Sequence, residues 1–126
     1  DWCGWCKVMD RNTFQQDHIA RYMNENFYCI KFNAEQKEPI ALKGETYKFV
    51  DRGRRGYHQL AAFLTNGNLS YPTVAFLDEN LEVIQPISGY QEPDVFERIM
   101  TYFATDSYKN TPWGVYEKKY KLMDKE

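Results

Sequence analysis

Trp2-Cys3-Gly4-Trp5-Cys6-Lys7 opens the chain with two cysteines three positions apart, at the head of a stretch to Asp10 that reads as a helix. Residues at that spacing share a helix face, so the two sulfurs fall within reach of one disulfide. A thiolate rather than a thiol attacks a disulfide, and a free cysteine, with a pKa of about 8.5, needs a setting that stabilises the anion. The start of a helix supplies one, because its first backbone N–H groups lack carbonyl partners and its dipole is positive there. On this reading Cys3 is the attacking nucleophile, and Cys6, deeper in the helix, resolves the mixed disulfide by attacking Cys3. Gly4 admits the close approach of a substrate backbone. Trp2 and Trp5 offer flat apolar surface to an extended peptide, without side-chain selectivity.

The same pair also admits two plainer readings, an inert structural disulfide and half of a zinc site. Zinc needs two further ligands, and the residues left to supply them are Cys29, His18 and His58. Cys29 falls within an apolar run, where a cysteine behaves as a small buried hydrophobe. The redox reading is favoured because the C-x-x-C pair adjoins an alternating helix and strand pattern. No metal and no cofactor beyond the dithiol are expected. His18 and His58 are expected on helix surfaces, without a catalytic part.

Outward from the dithiol, Ile19, Tyr22 and Met23 recur at helical spacing and predict a second helix over 16–24, after a bend at Asn12 and Thr13. Phe27-Tyr28-Cys29-Ile30-Lys31-Phe32 is rich in strand formers and predicts a largely buried strand. Residues 46–50 read as a short strand or loop edge, and Asp51-Arg52-Gly53-Arg54-Arg55-Gly56 as a solvated turn. Leu60, Phe63 and Leu64 predict a helix over 57–65, stopped by Asn66-Gly67-Asn68. Residues 72–77 and 81–87, separated by Asp78-Glu79-Asn80, predict an antiparallel hairpin with a three-residue connection. Pro93 suits the first turn of a helix striped by Val95, Phe96, Ile99, Met100 and Phe103. Thr111-Pro112 predicts a cap and first turn leading into a tail docked by Trp113, Val115 and Tyr116.

The 126 residues suit one domain, and 43% hydrophobic with 17% aromatic residues supply a core that needs no disulfide staples. Sixteen basic against 18 acidic residues leave a net charge of −2, so nucleic acid is not an implied partner. No apolar run approaches the roughly 20 residues that span a bilayer, and no signal-peptide pattern is present. Asp1 is not Met and stands directly against the reactive motif, which reads as a chain whose natural start lies upstream.

Trp2-Cys3-Gly4-Trp5-Cys6-Lys7 resembles the Trp-Cys-x-x-Cys-Lys active site of thioredoxin-like proteins, and far along the chain Ser70-Tyr71-Pro72-Thr73-Val74-Ala75-Phe76-Leu77-Asp78 resembles the family's proline and apolar strand. The resemblance implies an α/β, three-layer thioredoxin-like sandwich over 1–106, with one mixed sheet flanked by helices and the N-terminal strand lacking or truncated. Residues 107–126 then form a helical tail on the same domain. It implies a protein thiol–disulfide oxidoreductase, a reductase or isomerase, working on protein or peptide substrates with a redox partner protein, as a monomer. In the family the proline is cis and the backbone before it pairs with substrate, which carries over to Tyr71 and Pro72. Asn12-Thr13-Phe14, the predicted strand at Phe27 and Ser88-Gly89-Tyr90 resemble the branch common in bacterial envelopes, implying export to the periplasm, with a cytoplasmic setting as the alternative. A rival reading keeps the fold as a peptide-binding or assembly module with an idle dithiol. Gly-Trp between the cysteines departs from the family's usual pairs, so the redox direction is left open. The family's buried acid before the active site has no counterpart in the chain.

Overall fold

The computed structural model describes residues 3–123. Packing divides them into two units, one from the described parts of Asp1–Ile30 and Tyr90–Glu126, the other Lys31–Gly89. The first unit is helical. Helix α1, Gly4–Met9, runs into a π-helical segment, Asp10–Phe14, and α2 follows at Asp17–Asn26. Asp17 places a carboxylate in the positive first turn of α2. Helix α4, Pro93–Ala104, begins with Pro93 where a missing N–H costs nothing, and Asp94 again occupies the first turn. Its Phe96, Ile99 and Met100 are buried, with Met9 and Ile19, as the core of this unit, and Phe14 meets Phe96 edge to face at 5.2 Å.

Burial on α4 extends beyond the apolar stripe to Glu97 and Thr101, one turn apart. Both are held by the C-terminal segment. Helix α5 spans Trp113–Lys119, one residue later than the Thr111-Pro112 reading, because Pro112 keeps extended backbone and serves as the cap. Trp113 and Tyr116 lie 5.1 and 4.9 Å from the Tyr102 ring, whereas Val115, expected to dock, is 42% exposed. The Tyr116 hydroxyl donates to Thr101 Oγ1 at 2.7 Å.

The second unit carries three separate two-stranded antiparallel sheets and one short helix. Strands β1, Ile40–Leu42, and β2, Glu45–Tyr47, are joined by Lys43-Gly44, both at positive φ, the tight turn that matches strand twist. Strands β3, Phe49–Val50, and β4, Tyr57–His58, pair next, followed by α3, Gln59–Leu64. Strands β5, Thr73–Leu77, and β6, Val83–Ser88, form the expected hairpin, Thr73 opposite Ser88. Its connection runs from Asp78 to Glu82 instead of three residues, because the Asp78 carboxylate accepts from the N–H of both Asn80 and Glu82 and winds a wider loop.

Two expectations fail here. The single mixed sheet flanked by helices is replaced, among the described residues, by these three small antiparallel sheets. The strand over 27–32 is absent, and Tyr28 and Ile30 are almost fully exposed. Strand propensity expresses fit to a pleated, half-buried surface, so strand formers without a neighbour to complete a ladder remain irregular.

Candidate functional site

Cys3 caps α1 with extended backbone, φ −116° and ψ 98°, and its Sγ accepts the Cys6 N–H at 3.1 Å. The two cysteines are joined as a disulfide, with Cα atoms 5.3 Å apart. Cys3 thus takes the place usually held by Ser, Thr, Asp or Asn, whose oxygen satisfies an otherwise unpaired first-turn N–H. A donor aimed at sulfur favours the thiolate over the thiol when the bond opens. Both cysteines are half-buried, so exposure does not set them apart; the Cys6 N–H is directed at Cys3 Sγ. Gly4 is exposed, and a Cβ there would meet open space. Trp5 is 62% exposed. Trp2 lies outside the described residues.

One contact of this neighbourhood has no sign in the sequence. The Tyr90 ring sits 5.6 Å from Trp5, tilted by 51°. The pairing joins residues far apart in sequence, and no periodicity signals it. Close by in sequence, Gln91 offers its carbonyl to the Thr13 hydroxyl at 2.6 Å.

Tyr71 and Pro72 belong to the second unit. Their peptide bond is cis, Pro72 is buried, and its carbonyl accepts the Gly89 N–H at 2.7 Å. Burial, then the charge of Glu35, push the Tyr71 phenol above its ordinary value.

The remaining cysteine and both histidines depart from expectation. Cys29 is exposed, because the strand meant to bury it does not form. Its Sγ leans back to the Met23 carbonyl at 3.8 Å, and partial burial of the sulfur pushes the thiol above its ordinary value. His58 is fully buried instead of lying on a surface: Nδ1 accepts the Leu60 N–H at 3.1 Å, capping α3, while Nε2 lies 2.9 Å from the Glu38 carbonyl. His18 is buried with its Nε2 3.4 Å from Glu97 Oε1. The other Glu97 oxygen accepts the Tyr120 hydroxyl at 2.8 Å and the Met123 N–H at 2.6 Å. Among the described residues no three His, Cys, Asp or Glu side chains gather where a metal ion could be held, and no helix is long and apolar enough to cross a membrane.

A mixed α/β chain whose first helix is closed by a C-x-x-C disulfide defines the class: a domain carrying a candidate dithiol–disulfide site. The chain belongs to the family described as Thioredox_DsbH, protein of unknown function, DUF255, which it matches over residues 1–111; the family's name is thioredoxin-like. Among curated proteins it is similar to spermatogenesis-associated protein 20 of Mus musculus, 37% identical over 38 residues, covering 30% of this chain and 5% of that protein. It is also similar to uncharacterized protein B0495.5 of Caenorhabditis elegans, 29% identical over 63 residues, covering 50% of this chain and 8% of that protein. The chain therefore spans less than a tenth of the length of these relatives. No solved structure matches it.

Proposed function

We propose that this domain is a protein thiol–disulfide oxidoreductase acting through Cys3 and Cys6. The observation that carries the reading is the Cys3–Cys6 disulfide at the start of α1 with the Cys6 amide directed at Cys3 Sγ. In the reducing direction the Cys3 thiolate attacks one sulfur of a substrate disulfide, and the other substrate sulfur leaves as a thiolate. The Cys6 thiolate then attacks Cys3, the Cys3–Cys6 bond re-forms, and the second substrate thiol is released. The substrate gains two electrons and the dithiol loses two. Run backwards, the same steps oxidise a substrate, and a partner dithiol or disulfide resets the couple. Tyr71 and Pro72 are proposed as substrate-backbone contacts on the strength of the motif resemblance, with Gly4 as a point of close backbone approach and Trp2 and Trp5 as an apolar platform. Export to a bacterial envelope and a monomeric state rest on that resemblance as well.

The test is a trap. Replacing Cys6 with Ala leaves the attacking sulfur without its resolver, so Cys6→Ala accumulates mixed disulfides through Cys3 with a peptide disulfide, removable by dithiothreitol. Their absence, together with no insulin reduction by the wild type, refutes the enzyme reading in favour of a binding module with an idle dithiol.

A further inference from the structure

A threonine inside a helix ordinarily returns its hydroxyl to a carbonyl of its own preceding turn. Thr101 within α4 does so, as do Thr65 and Thr105 at the C-caps of α3 and α4. Thr13 does not. It is fully buried in the π-helical segment that continues the dithiol helix, and its hydroxyl donates instead to the Gln91 carbonyl, 78 positions along the chain. π-helical turns insert an extra residue into the helical register and are concentrated at functional sites; Thr13 lies within one. The residue beside that carbonyl is Tyr90, whose ring lies against Trp5, between the two cysteines.

We propose that Thr13 is a positioning residue: through Gln91 it holds Tyr90 on Trp5, forming a two-ring apolar shelf next to the disulfide that takes an aromatic or large aliphatic side chain flanking the substrate cysteine. The inference rests on the oxidoreductase reading and narrows its substrate class. Trp5 leaves most of its surface to solvent. A substrate ring laid on the tilted pair gains offset and edge contacts that a small polar residue cannot make.

The protein, kept reduced by dithiothreitol, is assayed on two disulfides: a peptide disulfide with Phe next to the cysteine, and glutathione disulfide, which has no apolar side chain. Thr13→Val raises KM for the Phe peptide about three- to tenfold with kcat unchanged, and leaves the glutathione disulfide rate alone. Thr13→Ser, which keeps the hydroxyl, restores the wild-type KM, and Tyr90→Ala reproduces the Val effect. A folded Thr13→Val with wild-type KM, or an equal loss on both disulfides, overturns the proposal. Should Thr13→Val not fold, an unchanged KM in Tyr90→Ala overturns it. If the wild type reduces neither disulfide, the oxidoreductase reading falls, and the shelf is decided by fluorescence polarisation of a labelled cysteine-free Phe peptide on the oxidised protein: weaker binding to both variants supports it, and unaltered binding refutes it.

Discussion

Tyr120→Phe deletes a single hydroxyl and is expected to be among the costlier conservative changes in the chain. That hydroxyl donates at 2.8 Å to a Glu97 carboxylate with no solvent exposure, whose same oxygen takes the Met123 N–H at 2.6 Å. Removing a donor from a buried charged acceptor costs about 1.5–3 kcal/mol. Tyr120 itself is only half-buried, and water can partly replace its hydroxyl, so the lower half of that range applies, about 1.5–2 kcal/mol. At a chain length of 126 residues this is a fall in Tm of about 6–8 °C. The effect carries a pH signature. Burial first, and then the hydrogen bond and charge of Glu97, push the Tyr120 phenol above its ordinary value of 10.0. A group whose folded value is raised contributes stability that is complete below the unfolded value and is lost as pH climbs toward the folded one. The gap between wild type and Tyr120→Phe therefore stays constant up to about pH 10 and narrows above it. Calorimetry at pH 7, 9 and 10.5 measures both quantities. A Tm change under 1 °C at pH 7, or a gap that widens in alkali, refutes the reasoning.

Two further expectations concern the other unit and the odd thiol. Gly56→Ala places a Cβ 2.7 Å from Phe49 Cζ and 3.0 Å from the Val50 carbonyl, so urea unfolding detects a loss of about 1–3 kcal/mol; Gly4→Ala, which meets nothing within 4 Å, changes stability by less than about 0.5 kcal/mol. Cys29 of the native, oxidised protein reacts with iodoacetamide without denaturant. Since burial holds its thiol above the ordinary value, the rate climbs steeply, by up to about tenfold per pH unit, from pH 7 to 9; labelling that requires urea contradicts the exposure assigned to it.

What the sequence carried was what local chemistry decides. The C-x-x-C spacing placed both sulfurs at one helix start, Pro93 and its apolar stripe marked α4, and the apolar runs around Asp78 marked the β5–β6 hairpin. What it could not carry depends on partners far along the chain. The run from Phe27 to Phe32 has strand composition, but composition does not supply the neighbouring ladder, so Cys29 was read as buried. His18 and His58 were read as surface residues because their partners, Glu97 and the Glu38 carbonyl, are remote in sequence. The contacts of Tyr90 and Thr13 are hidden for the same reason: their partners, Trp5 and Gln91, lie 78 positions or more away in sequence. A buried Glu on a helix is the opposite of what an amphipathic pattern teaches, and its partners Tyr120, Met123 and His18, all remote in sequence, account for its place.

The claim on which the function stands is that the Cys3–Cys6 bond opens and closes reversibly under mild conditions. Equilibrating the protein across glutathione redox buffers, alkylating it and reading the mass measures this directly. A redox-active pair gives one two-electron transition, tagging Cys3 and Cys6 together, with a midpoint between about −270 and −120 mV. A bond that stays closed down to about −300 mV or below, as structural disulfides do, contradicts the claim.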